Sequence, residues 1–240
     1  MNSVVNTIQA HRSIRAFKDQ PITKEQLDAI IESGLAASTS SLLQTVSIVR
    51  VTDPAKRKAL AELAGPQPWI EAAAEFLVFF IDYQRHHEIS DQVKSEYTEL
   101  TLIGAVDAGI MAQNCLLAAE SMGLGGVYIG GLRNDPARVD ELLGLPEHTA
   151  TLFGMCLGHP DQDPEKKPRL SASVVVHEDH YQPLDHQAIA EYDQTMLDYY
   201  AARSSNAKHQ GWSEQITQTL SKEARPYMQD YLHSKGLNKK

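Results

Sequence analysis

The chain has 240 residues, 42% hydrophobic and 22% charged, a balance that excludes a disordered or collagen-like protein and is long enough for a sizeable core. A formal charge of −9 argues against nucleic acid as a partner, since phosphate-backbone binding needs a basic surface. Two cysteines in apolar runs, Cys115 and Cys156, no C-x-x-C, no signal-peptide pattern at the start and no uninterrupted apolar stretch of roughly 18 residues lead to the expectation of a cytoplasmic protein without a membrane partner.

In chain order, TKEQLDAIIESGL (23–35) places Leu27, Ile30, Ile31 and Leu35 at helical spacing, with Thr23 as N-cap and Gln26 three residues on. SIVRVT (47–52) reads as a strand, and Asp53-Pro54 opens a short helix. EFLVFFID (75–82) is a continuous apolar run, expected as a strand buried on both faces. Residues 96–122 form the longest helical pattern, whose middle is apolar nearly all round and therefore expected to be buried on every side, with Gly123 as its stop. GGVYIGG (125–131) reads as a strand entering a glycine turn, and Asn134-Asp135-Pro136 starts a helix ending near Gly144. Strands are expected at about 151–157 and 173–178, then helices over 190–203, 213–221 and 223–234. The order predicts an α+β fold with a mixed central sheet flanked by helices, a core over 1–184 and a helical C-terminal excursion over 185–240, one domain overall.

Several motifs fail. A dinucleotide fingerprint from Gly123 needs glycine where Tyr128 stands, and a P-loop from Gly125 needs lysine where Leu132 stands. His87-Glu88 lacks the second histidine of a zinc motif, and there is no G-x-S-x-G, so no metal is expected.

Four segments carry possible chemistry. His11-Arg12-Ser13-Ile14-Arg15 packs cations and a hydroxyl into five residues, either a solvated cluster or a phosphate cradle whose charge-assisted bonds contribute roughly 1.5–3 kcal/mol each. Ser38-Thr39-Ser40-Ser41 is either a helix-ending loop or a set of short donors beside a ligand. Gly125 to Arg133 carries glycines that let backbone approach a flat ligand or that mark a bulge in a buried strand. Lys166-Lys167-Pro168-Arg169 is an exposed basic loop or an anion trap in an acidic protein.

Taken together, AHRSIRAF (10–17), STSSLLQ (38–44), AAESMGLGGVYIGGLRN (118–134), FGMCLGHP (153–160), KKPRL (166–170), YQPLD (181–185) and KEARPYMQDYLH (222–233) resemble the oxygen-insensitive NADPH nitroreductases and the related NADPH:FMN oxidoreductases, over essentially the whole chain. The resemblance implies a domain-swapped homodimer with tightly bound FMN, NADPH as co-substrate and a small oxidised acceptor, nitroaromatic or quinone. Its alternatives are release of free reduced FMN and a non-catalytic flavin carrier. It implies no catalytic side chain, the chemistry lying on flavin N5, with two half-reactions at one site and hence ping-pong kinetics. By the same resemblance FMN is held by His11, Arg12, Ser13, Arg15, Thr39, Gln67, Tyr128, Ile129, Gly130, Gly131, Lys167 and Arg169. Arg203 and Lys208 read the 2′-phosphate of NADPH, while Ser40, Ser41, Leu42, Arg133 and Arg225 border the acceptor. Two positions depart from the pattern: Lys208 replaces an arginine of some relatives and loses its bidentate fork, and Leu42 stands where relatives carry an aromatic ring.

Overall fold

The computed structural model describes residues 3–203 and 208–240. In chain order its elements are α1 (Ser3–Gln9), α2 (Lys24–Leu35), β1 (Val46–Arg50), α3 (Pro54–Leu63), α4 (Trp69–Ala72), β2 (Glu75–Asp82), α5 (Gln84–Ile89), α6 (Thr98–Ser121), β3 (Gly125–Ile129), α7 (Pro136–Leu143), β4 (Thr149–Gly158), α8 (Ala172–Val175), α9 (His186–Ala201), α10 (Trp212–Leu220) and α11 (Met228–Ser234). The chain divides into a larger unit, Met1–Pro164 with Arg225–Lys240, and a smaller one, Glu165–Ala224.

In the larger unit, EFLVFFID forms β2 and is buried along nearly its whole length. Alternation along the strand divides its side chains between two cores. Leu77 and Phe79 pack with Ile30, Ala112 and Leu116 on one face, and Phe76 and Val78 with Leu60, Ile70 and Leu132 on the other. The sheet order is β1-β2-β4-β3, antiparallel throughout. The mixed character anticipated from the sequence is confined to one parallel bridge, Ser13 with Gly126.

Local signals set the helix ends. Thr23 and Gln26 form the reciprocal capping box, Asp53 and Asp135 cap α3 and α7 ahead of a first-turn proline, and Gly144 closes α7 at φ 70°. The strand expected at 173–178 is absent: Ala172–Val175 is a single helical turn, followed by residues in no strand. SVVV carries β propensity, but propensity needs a neighbouring strand to pair with, and the four-stranded sheet offers this segment none.

The expectation for α6 also needs correction. Its 24 residues are long and apolar enough to cross a bilayer by length and composition, although Asp107, Gln113 and Asn114 interrupt the run, so no uninterrupted apolar stretch of that length occurs. One face is core: Ala108, Ala112, Cys115 and Ala119 are fully buried, and a methyl group at Gly104 would come within 2.9 Å of Ile81. The helix is not buried on every side, because Leu102, Val106 and Ile110 are exposed. Both cysteines are buried free thiols, and burial pushes Cys115 up to about 11, which leaves it protonated and unreactive.

α11 is tied to the sheet by a buried polar knot. The Tyr231 hydroxyl donates to Asp140, 3.0 Å from Oδ2, and accepts from the Thr151 N–H at 3.0 Å; Thr151 Oγ1 and Lys235 Nζ also reach Asp140. Burial raises the Asp140 carboxyl above its ordinary range, against the pull of Lys235. Tyr231→Phe strands these partners in a dry site and is expected to cost about 1–3 kcal/mol in urea unfolding; an unchanged midpoint would mean the knot is replaced by water.

A second clasp joins α5 to the C-terminal segment. The rings of His87 and His148 stack with centroids 3.7 Å apart, and Ser95 Oγ lies 3.0 Å from His87 Nε2 and 3.2 Å from His148 Nδ1. His148 N donates to the Lys235 carbonyl. Burial lowers the His87 pKa, and His148 and His86 lower it further against the opposing Glu96. The folded state therefore prefers neutral His87, the unfolded state binds more protons below the ordinary histidine value, and stability falls as pH drops through that window. Thermal melting between about pH 7.5 and pH 5 is expected to show this slope and His87→Asn to flatten it.

Candidate functional site

Within the larger unit, the HRSIR segment is extended. α1 ends at Gln9, and Ile14 N donates to the Gly126 carbonyl at 2.9 Å, which lays the segment beside β3. The close approach explains the glycines of β3. A Cβ at Gly125 would lie 2.6 Å from Ile14 Cγ1, and one at Gly126 would lie 2.7 Å from the Cys156 carbonyl oxygen. Glycine here serves backbone packing.

His11 and Arg12 open onto a cavity of about 440 Å³ lined also by Ile14, Glu120, Gly125 and Asp163. Both carry carboxylate partners that the sequence reading missed. His11 Nδ1 lies 2.5 Å from Glu120 Oε1, and Arg12 pairs with Asp163. Asp163 is highly exposed, so that pair contributes about 0–1 kcal/mol and yields readily to a better anion.

Around the end of β3 the charge is different. A side chain at Gly131 would collide with the Ala64 carbonyl and come within 2.7 Å of Gln67 Nε2, so the backbone of the glycine turn lies directly against the Gln67 loop. Arg15 reaches the same loop, its Cζ 5.9 Å from the Trp69 ring centroid. Trp69 Nε1 is buried without a hydrogen-bond partner. Arg133 donates to the Leu152 carbonyl, and Arg225 donates to Asn134 Oδ1 at 2.9 Å and to the Gly130 carbonyl at 3.5 Å. Burial lowers the Arg133 pKa and the neighbouring Arg225 lowers it further. Among the described residues, Arg15, Arg133 and Arg225 form no ion pair. Guanidiniums held by carbonyls and rings in an acidic chain leave a positive, donor-rich surface beside the glycine turn, which suits a flat, electron-rich ligand bearing carbonyls or phosphate. Tyr128 and Ile129 lead into this turn, Tyr128 with its ring edge-on to Phe153 and its hydroxyl donating to Gln113 Oε1 at 3.3 Å.

Thr39, Ser40, Ser41 and Leu42 are not part of that group. They precede β1, the sheet edge opposite β3, with β2 and β4 between, a separation of about 14 Å at ordinary strand spacing. Asp107 of α6 pins this loop, accepting from Thr39 Oγ1 at 2.6 Å, from Ser40 N at 3.2 Å and from Thr45 Oγ1 at 3.2 Å. The signal for Asp107 was present in the sequence as a lone acid inside an otherwise apolar helical run. Ser41 and Leu42 adopt left-handed backbone at φ 47° and 56°, and Leu42 is highly exposed.

In the smaller unit, Arg169 Nη1 donates to the Lys167 carbonyl at 2.8 Å, and Tyr192 of α9 donates to the Pro168 carbonyl at 3.1 Å. Lys167 and Lys208 each place Nζ 5.6 Å from the Tyr200 ring centroid, and Arg203 lies 5.6 Å from Tyr199.

The model of the nitroreductase family matches residues 8–159, and that of the family's C-terminal domain matches 167–240. The NADPH-flavin oxidoreductase of Vibrio harveyi is 66% identical over the full length of both chains. The oxygen-insensitive NADPH nitroreductase of Salmonella typhimurium is 49% identical over 98% of each. Among solved structures, the NADPH:FMN oxidoreductase of Vibrio harveyi complexed with NAD+ superposes with a TM-score of 0.95 at 64% identity, covering all of both chains. Fold, length and sequence agree, and the chain belongs to the nitroreductase family.

Proposed function

We propose that this protein is an NADPH-dependent FMN oxidoreductase that reduces small oxidised acceptors such as nitroaromatics and quinones in the cytoplasm. The observation that carries the reading is Arg133 and Arg225 beside Gly130, with Arg15 against Trp69 just after the Gln67 loop, all three without an ion pair among the described residues. The names of the relatives support the same cofactor pair. Bound FMN supplies two-electron chemistry at its N5, and the protein supplies position and charge.

In this reading His11, Arg12 and Ser13 hold the phosphate and ribityl chain, and Arg15 and Gln67 the ring edge. Tyr128, Ile129, Gly130 and Gly131 present backbone to the ring. Lys167 and Arg169 of the smaller unit are further phosphate contacts, and Arg203 and Lys208 read NADPH. Arg133 and Arg225 border the acceptor. Two observations support a homodimer. Thr39 to Leu42 lie across the sheet from the glycine turn, so a second copy is the natural source of that loop, and Leu102, Val106 and Ile110 form an unpaired apolar face on α6. A second activity, release of free reduced FMN, is favoured by the likeness to the Vibrio harveyi flavin oxidoreductase.

The purified protein is expected to be yellow and to lose its visible flavin band on anaerobic NADPH addition. A colourless protein, or a band that NADPH leaves intact, overturns the assignment. Arg12→Ala removes one charge-assisted contact and is expected to weaken FMN retention about ten- to hundredfold in equilibrium dialysis; unchanged retention removes Arg12 from the phosphate site.

A further inference from the structure

Trp69 opens α4 just after the Gln67 loop, and Arg15 sets its guanidinium Cζ 5.9 Å from the centroid of the indole ring. Each partner is anchored by its own backbone neighbourhood. Ile14 is buried and its N–H is bonded to the Gly126 carbonyl, so the alternation of an extended chain turns exposed Arg15 to the opposite side. The indole packs against the core of Leu60, Ile70 and Leu132. Ile70 N donates to the Gln67 carbonyl and Ala73 N to the Trp69 carbonyl, both at 3.0 Å, which closes the turn that carries the ring. Trp69 Nε1 is buried without a hydrogen-bond partner, so packing alone holds the indole in place. Among the described residues Arg15 forms no ion pair. What meets its guanidinium is the aromatic face that attracts cations most strongly.

We infer that Trp69 is a positioning residue for flavin reduction: its indole seats the Arg15 guanidinium at the flavin ring edge and so favours the reduced flavin over the oxidised one. This role rests on the proposed placement of Arg15 at that edge and adds the residue that holds it there. A hydride from NADPH brings two electrons and one proton to the flavin and leaves NADP+, so the bound ring system gains one negative charge. A fixed cation beside it therefore stabilises the product more than the reactant. A carboxylate in place of the indole would fix Arg15 equally well but would neutralise it. An aliphatic side chain would spare the charge but leave a long, exposed arginine its rotamer freedom. The indole face orients the cation and keeps its charge, and the attraction strengthens once a ligand covers the pair and excludes water.

The test makes Trp69→Leu and Trp69→Phe in the full-length holoenzyme and again alongside Arg15→Gln. Each variant is read by the midpoint potential of the bound flavin and by FMN retention in equilibrium dialysis, so the comparison also stands where flavin leaves too readily for potentiometry. Trp69→Leu is expected to disfavour reduced flavin by about three- to tenfold, a fall of roughly 14–30 mV for a two-electron couple. Trp69→Phe keeps a weaker aromatic face and is expected to fall less; it carries the comparison alone if the leucine variant does not fold. Alongside Arg15→Gln, either change at Trp69 is expected to shift potential and retention by less than about twofold. An equal loss with and without Arg15 makes Trp69 a packing residue and overturns the inference. If Arg15→Gln lowers the potential while both Trp69 variants match the parent, only the indole seat falls. If Arg15→Gln itself leaves potential and retention unchanged, the placement of Arg15 at the flavin falls.

Discussion

The structure depends on positive charge kept without a counter-charge in an acidic protein. Arg12, Arg50 and Arg138 pair with carboxylates. Arg15, Arg133 and Arg225 instead rest on a ring, a main-chain carbonyl and an amide side chain. Such partners orient a guanidinium without neutralising it, so its field stays directed outward. The smaller unit repeats the device with tyrosine rings in place of carbonyls. A salt bridge at either place would quench that outward field.

The scaffold that holds these groups is ordinary core packing. β2 separates two apolar layers, and β3, which closes one edge of the sheet, carries the glycines that admit the HRSIR segment. The buried knot at Asp140 and the histidine clasp fasten α11, which follows closely on Arg225, a donor to the Gly130 carbonyl. Packing thus reaches the site through a short lever: anchoring of residues 228–237 fixes where Arg225 stands.

Much of this was legible in the sequence where local rules dominate. EFLVFFID, the capping box at Thr23 and the Asp-Pro starts follow from periodicity and capping, which act within a few residues. The turn at 172–175 was misread because strand formation depends on a partner elsewhere in the chain. The burial of α6 was overstated because hydropathy reports what a face is made of and not what covers it. The candidate site residues were named through the combination of motifs, while their structural partners were not. Glu120, Asp163, Asp107 and Tyr200 join groups far apart in sequence, and no spacing rule links position 167 to position 208.

The attachment of the Thr39 loop has a local consequence. Asp107 grips this loop at its two shoulders, through Thr39 and Thr45, and leaves Ser41 and Leu42 between them outside the core. Those middle positions face no core packing, and their left-handed backbone alone restricts what can stand there, while the shoulders hold the path of the chain. In the proposed function, where Ser41 and Leu42 border the acceptor, a change at either exposed position would alter that border while the Asp107 anchor stays in place.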